Sequence, residues 1–150
     1  MQSHSNAELA ERLNRRRARM LPILALFVII QQAAFYTSGD RMRPVDMVRN
    51  GGWLLLVAVI LAGLLTGGFW RRSREVRELM NDEVTRANRD SALVWGFTAA
   101  IVAGIVLYAI EAFTPDAASA REVIHIIVSA GLVTALLRFG FLERRAHGVG

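Results

Sequence analysis

Glu111 and His125 are the ionisable side chains of this 150-residue chain best placed for chemistry inside an apolar setting. Each lies about one helical turn inside the end of an apolar stretch, and the connection Thr114 to Ala118 between those stretches is short. A Glu–His pair brought to one depth there would exchange a proton or, joined by Asp116 or Glu122, hold a divalent cation. The same residues equally suit ordinary interfacial hydrogen bonds, because polar groups near the ends of a span reach water. Gln31 and Gln32 stand near the middle of the first apolar stretch or just beyond it. An adjacent pair points in two directions, so at least one is expected to bond across a helix bundle or to face a cavity. Gln31, Glu111 and His125 are thus the candidate lining of a polar path.

A second group of candidates is polar and recognition-like. The segment Arg71 to Ser91 holds eleven charged residues of both signs and neither proline nor glycine. Pairs four residues apart, such as Arg74/Glu78 and Asp82/Arg86, support a helix there, each by roughly 0.2 to 0.5 kcal/mol. Val76, Leu79, Met80, Val84 and Ala87 give it a narrow apolar stripe. The pattern predicts a helical stalk over 71–91, either continuous with the next apolar stretch from about Arg72 to Phe113 or broken into a hairpin near Met80 to Asp82. Asp82, Glu83, Arg86 and Arg89 are the candidate partner-binding residues. A charge-laced helix is also a common solvated face.

The elements that must position these groups are four apolar stretches, Met20 to Ser38, Gly52 to Trp70, Ala92 to Phe113 and Val123 to Phe141. A helix rises 1.5 Å per residue and a bilayer core is about 30 Å thick, so roughly 20 apolar residues cross it with every backbone group satisfied. The predicted fold is an all-α membrane protein, a bundle of four transmembrane helices. Residues 1–19 form a basic N-terminal segment, 20–142 the transmembrane domain with its stalk, and 143–150 a tail. Ser5 with Glu8, and Ser119 with Glu122, have the spacing of capping boxes. Leu9 and Leu13 suggest that the first of these helices lies along the membrane surface. The first span has no convincing small-x-small cleavage site and is expected to be retained.

All 18 basic residues are arginine, which fits a GC-rich bacterial source. Fourteen lie before the first span, between the second and third, or at the inner end of the fourth span and beyond it (Arg138, Arg144 and Arg145); Arg41, Arg43, Arg49 and Arg121 lie on the other side. The positive-inside rule then puts both termini in the cytoplasm, in a bacterial inner membrane. That asymmetry accounts for the basic balance without direct nucleic-acid binding. There is no cysteine, hence no disulfide or thiolate site. HExxH, GxSxG and Gly-rich phosphate loops are missing too, so the expectation is no enzyme, no cofactor and no metal.

Small residues mark where helices approach. Gly63 and Gly67 form a GxxxG, and Gly96, Ala100 and Gly104 a small-xxx-small row, serving either internal packing or a homodimer.

Chain size and four-span plan are similar to the small multidrug resistance transporters, but the membrane-embedded glutamate of their first span has no counterpart here. The motif Asn81-Asp82-Glu83-x-Thr85-Arg86-x-Asn88-Arg89-x-x-Ala92, with the closing Arg138-Phe139-Gly140-Phe141-Leu142-Glu143-Arg144-Arg145, resembles small four-span inner-membrane proteins of proteobacteria. Some of these are encoded beside helix-turn-helix regulators, which implies a membrane-bound control partner. The expected function is a non-enzymatic membrane protein, in contact with lipid, whose stalk docks or sequesters a cytoplasmic regulatory protein. A small dimeric transporter or channel, and an accessory subunit of a larger membrane complex, are the alternatives.

Overall fold

The computed structural model describes residues 2–37, 44–67, 81–114 and 118–146, with side chains from residue 8 in the first segment and 47 in the second, up to residue 35 in the first. These form four helices, α1 (Gln2–Thr37), α2 (Pro44–Thr66), α3 (Glu83–Phe113) and α4 (Ala120–Ala146), and no strand among the described residues. All four are long and apolar enough to cross a membrane. Large apolar side chains such as Phe97, Tyr108 and Phe113 are exposed over most of their surface. That suits helices whose outer faces meet lipid.

α4 is the central element. It packs along α1 on one side and α3 on the other, while α2 touches it more lightly. The shared core brings together Leu21, Ala25 and Val28 of α1, Ile60 and Leu64 of α2, Ala92 of α3 and Leu132, Leu136 and Phe139 of α4. Small residues set the closest approaches. A Cβ on Gly96 would stand 2.7 Å from the Gly131 carbonyl oxygen and 2.8 Å from Ala135 Cβ, so α3 and α4 meet backbone to backbone there. A Cβ on Gly131 would come within 3.1 Å of Ala100 Cβ, while Gly104 faces Ile127 at ordinary contact distance. Gly140 lies against Leu21 and Pro22 of α1.

Gly63 and Gly67 do not pack in this way. A Cβ on Gly63 would meet nothing within 4 Å. Gly67 has a positive φ of 78° just past the end of α2, a conformation that stops the helix and that side chains with a Cβ resist. The GxxxG of the second span is therefore a helix end and an open face; α2 ends at Thr66, and residues 68–70, the close of the expected span, lie outside the described residues.

α1 also departs from expectation. Its 36 residues form one helix, so the basic N-terminal segment continues the span and does not lie separately at a surface. Ser5 falls inside the helix, not at its start. Pro22 has no N–H to give to the carbonyl of Ala18, four residues back. That carbonyl instead accepts a hydrogen bond from Arg144 Nε of α4 at 3.3 Å, which compensates for the interruption.

α3 begins sharply. Asp82 has a non-helical ψ of 170° and accepts a hydrogen bond from Thr85 N–H at 2.8 Å, a side-chain cap on the first turn. A helix unbroken from Arg72 to Phe113 is excluded by that cap. Residues 71–80, the first half of the expected stalk, lie outside the described residues. Ser119 and Glu122 form the reciprocal box at the start of α4, with Ser119 N–H donating to Glu122 at 2.7 Å and Glu122 N–H donating to Ser119 Oγ at 3.3 Å.

Candidate functional site

The buried stripe of α1 can be followed back from its apolar half. Val28, Ala25, Leu21 and Ala18 recur every three or four residues, and the next positions on that face are Arg17, Asn14 and Ala10. On α4 the stripe of Leu132, Leu136 and Phe139 leads to Glu143, and on α3 that of Gly96 and Ala92 leads to Asn88 and Thr85. Three apolar stripes thus end in polar residues at the same end of the bundle, where the structure joins them.

Glu143 is fully buried and forms an ion pair with Arg17. Its other carboxylate oxygen accepts from Asn88 Nδ2 at 3.1 Å. Arg17 Nη2 also reaches Thr85 Oγ1 at 3.3 Å, and its guanidinium sits 5.2 Å from the centre of the Phe139 ring. Thr85 is 1% exposed. One carboxylate and one guanidinium therefore hold α1, α3 and α4 together, with both charges compensated where solvent is excluded. Compensation is incomplete at the edges: Arg17 Nε and Nη1 and Asn14 Oδ1 are enclosed without a hydrogen-bond partner among the described residues.

This knot divides the recognition motif into two faces. Asn81 Oδ1 accepts from Arg89 Nη1 at 3.4 Å, and Asp82 is committed to its cap. Thr85 and Asn88 point inward to the ion pair. Glu83, Arg86 and Asp90 remain exposed, and offsets of three and seven residues set them on one side of α3. Of the four partner-binding candidates, Glu83 and Arg86 are thus on an outward face, while Asp82 and Arg89 make contacts within the chain.

At the far end, His125 is 6% exposed and stacks between two rings, Phe35 of α1 with centroids 4.1 Å away and Trp53 of α2 at 3.8 Å. The Arg49 guanidinium lies over the Phe35 ring, 5.9 Å from its centre. Glu111 is exposed on α3 and does not join this stack. The ring contacts of His125 are to Phe35 and Trp53, and no group of three metal-ligating side chains comes together among the described residues; Asp116 lies outside them. Gln32 accepts a hydrogen bond from Ser129 Oγ at 2.9 Å and so links α1 to α4; Gln31 is half-buried and takes no part in that bond.

Sequence reasoning missed Arg17, Thr85, Asn88 and Glu143. The signal was the continuation of each apolar stripe into polar sequence at unchanged helical spacing.

Four long apolar helices around a common core define an all-helical, multi-pass membrane protein. Comparison of the chain with protein-family models, with curated proteins and with solved structures gives no match in any of the three.

Proposed function

We propose that the chain is a non-enzymatic protein of a bacterial inner membrane, both termini cytoplasmic, that holds a soluble regulatory protein against the membrane. The observation that carries the reading is the division of the 81–90 motif. Its inward half is spent on a buried knot that fixes α3 to α1 and α4, and this leaves Glu83, Arg86 and Asp90 on a rigid, solvent-facing side. Charged groups held in place lose less conformational freedom on binding than groups on a mobile tail, which favours specific docking. The arginine asymmetry supports placing this face in the cytoplasm. The resemblance of the 81–92 and 138–145 motifs to proteobacterial proteins encoded beside regulators supports the class of partner.

The test is capture of soluble protein from native-level expression by cross-linking through α3, compared between the unaltered chain and the double charge reversal Glu83→Arg/Arg86→Glu. Loss of a specific soluble partner, with insertion and melting temperature unchanged, is the expected result. Capture that is insensitive to the reversal refutes docking through this face.

A further inference from the structure

Between α2, α3 and α4 the helices leave an open groove of about 290 Å³. Gly96 and Gly131 line it where α3 and α4 meet, with Leu61 and Leu64 of α2 and Leu93 and Phe97 of α3 as walls. Its side chains are all apolar. Along α3 it runs from Leu93 to Ala100, about 10 Å at 1.5 Å per residue, which is about two-thirds of one leaflet of a hydrocarbon core about 30 Å thick. In a bilayer such a groove takes a hydrocarbon chain.

Just past one end of the groove the chain turns polar. Gly67 follows Leu64 by three residues and Arg89 precedes Leu93 by four, so both stand about one turn beyond that end. They meet there: a Cβ on Gly67 would lie 2.6 Å from the Asn81 side-chain amide and 2.8 Å from Arg89 Nη1. A glycine at this helix end is what leaves room for the guanidinium. Arg89 Nη1 donates to Asn81 Oδ1 at 3.4 Å. Arg89 Nη2 and Asn81 Nδ2 make no hydrogen bond among the described residues, and neither is enclosed. The ion pairs among those residues, Arg15–Glu11 and Arg17–Glu143, leave Arg89 without a carboxylate. Two accessible donors and one uncompensated positive charge thus stand at the mouth of an apolar groove.

We propose that this site holds one anionic phospholipid of the cytoplasmic leaflet, with its phosphate on Arg89 and Asn81 and one acyl chain in the groove. A phosphate diester only accepts hydrogen bonds, which suits two donors, and a guanidinium binds phosphate oxygens strongly. A head of net negative charge also supplies the countercharge that Arg89 lacks, which a zwitterionic head does not. The second chain stays in the surrounding lipid. Basic pockets between membrane helices on the cytoplasmic side recognise such heads, and the arginine asymmetry places this end of the bundle there. The site does not depend on a regulator docking at Glu83 and Arg86.

The test is native mass spectrometry of the full chain in mild detergent, titrated with dioleoylphosphatidylglycerol or dioleoylphosphatidylcholine. One phosphatidylglycerol per chain should be held about tenfold more tightly than phosphatidylcholine. Arg89→Gln should abolish that preference, and Leu61→Trp, which fills the groove from an exposed position, should weaken phosphatidylglycerol binding by about tenfold. Arg16→Gln, an equal loss of charge at an exposed position of α1, should leave binding unchanged. Equal retention of the two lipids by the unaltered chain, the same loss in Arg16→Gln as in Arg89→Gln, or binding indifferent to Leu61→Trp overturns the proposal. So does displacement of the lipid by excess inorganic phosphate, which would reduce the site to one for a bare anion. The comparison of lipids on the unaltered chain decides the matter even where a variant fails to fold.

Discussion

Removing the Glu143 carboxylate should be among the most damaging single changes in this chain. Glu143→Ala leaves Arg17, with side-chain exposure of 9%, holding an uncompensated charge with the Thr85 hydroxyl and the Phe139 ring beside it. Breaking a buried pair by deleting one partner costs about 3 to 5 kcal/mol. A chain of this length loses roughly 2 to 4 °C of melting temperature per kcal/mol, so the expected fall is roughly 6 to 20 °C. Replacing both partners, Arg17→Met with Glu143→Leu, removes the charge as well as the bond and should recover most of that loss. The assay is thermal unfolding, in one detergent or nanodisc, of the parent, of Glu143→Ala, and of Arg17→Met, Glu143→Leu and their combination, which close the cycle. A Glu143→Ala melting temperature within about 2 °C of the parent, or a double variant no better than the single ones, would show that the pair does not tie the helices together.

The carbonyl freed by Pro22 gives a second cycle: Arg144→Ala should cost about 1 kcal/mol by unfolding, and less in a Pro22→Ala background, where the helix regains its own donor. Gly96→Ala should destabilise by about 1 to 3 kcal/mol because the added Cβ meets the Gly131 carbonyl, whereas Gly63→Ala, facing open space, should be neutral or stabilising by about 0.5 to 1 kcal/mol. Equal effects at the two glycines would contradict the packing described for α3 and α4. Gly67→Ala should cost about 1 to 2 kcal/mol for the left-handed backbone alone, measured in the same unfolding assay. Because the chain has no cysteine, Ser5→Cys and Ala120→Cys can be probed singly in spheroplasts with an impermeant thiol reagent; labelling of Ala120→Cys alone is expected, and labelling of Ser5→Cys would reverse the topology.

The apolar lengths made four membrane helices legible, because hydrocarbon thickness constrains helix length directly. The closing box at Ser119 and Glu122 was legible for a similar reason, since it depends on residues three apart. Gly67 shows the opposite case. As a letter in a GxxxG it reads like a packing residue, and only its backbone angle shows that it ends α2. Likewise Asp82 and Arg89 look as available for recognition as Glu83 and Arg86, until Thr85 N–H and Asn81 are found to engage them. Arg17 was hidden among Arg15, Arg16 and Arg19, and what sets it apart is the face of α1 that meets α4. Rings from two other helices stack on His125, and no spacing within one helix could reveal that assembly.

That α1 is a single unbroken rod through Pro22 has a mechanical corollary. Glu8 lies 20 residues from Val28, about 30 Å along the axis, so a tilt of about 10° around Val28 would carry the polar end sideways by about 5 Å. Helices tilt to match their apolar length to the thickness of the surrounding lipid. A tilt of α1 that followed bilayer thickness would therefore carry its polar end sideways beyond the hydrocarbon, together with the ends of α3 and α4 that the Arg17–Glu143 pair ties to it.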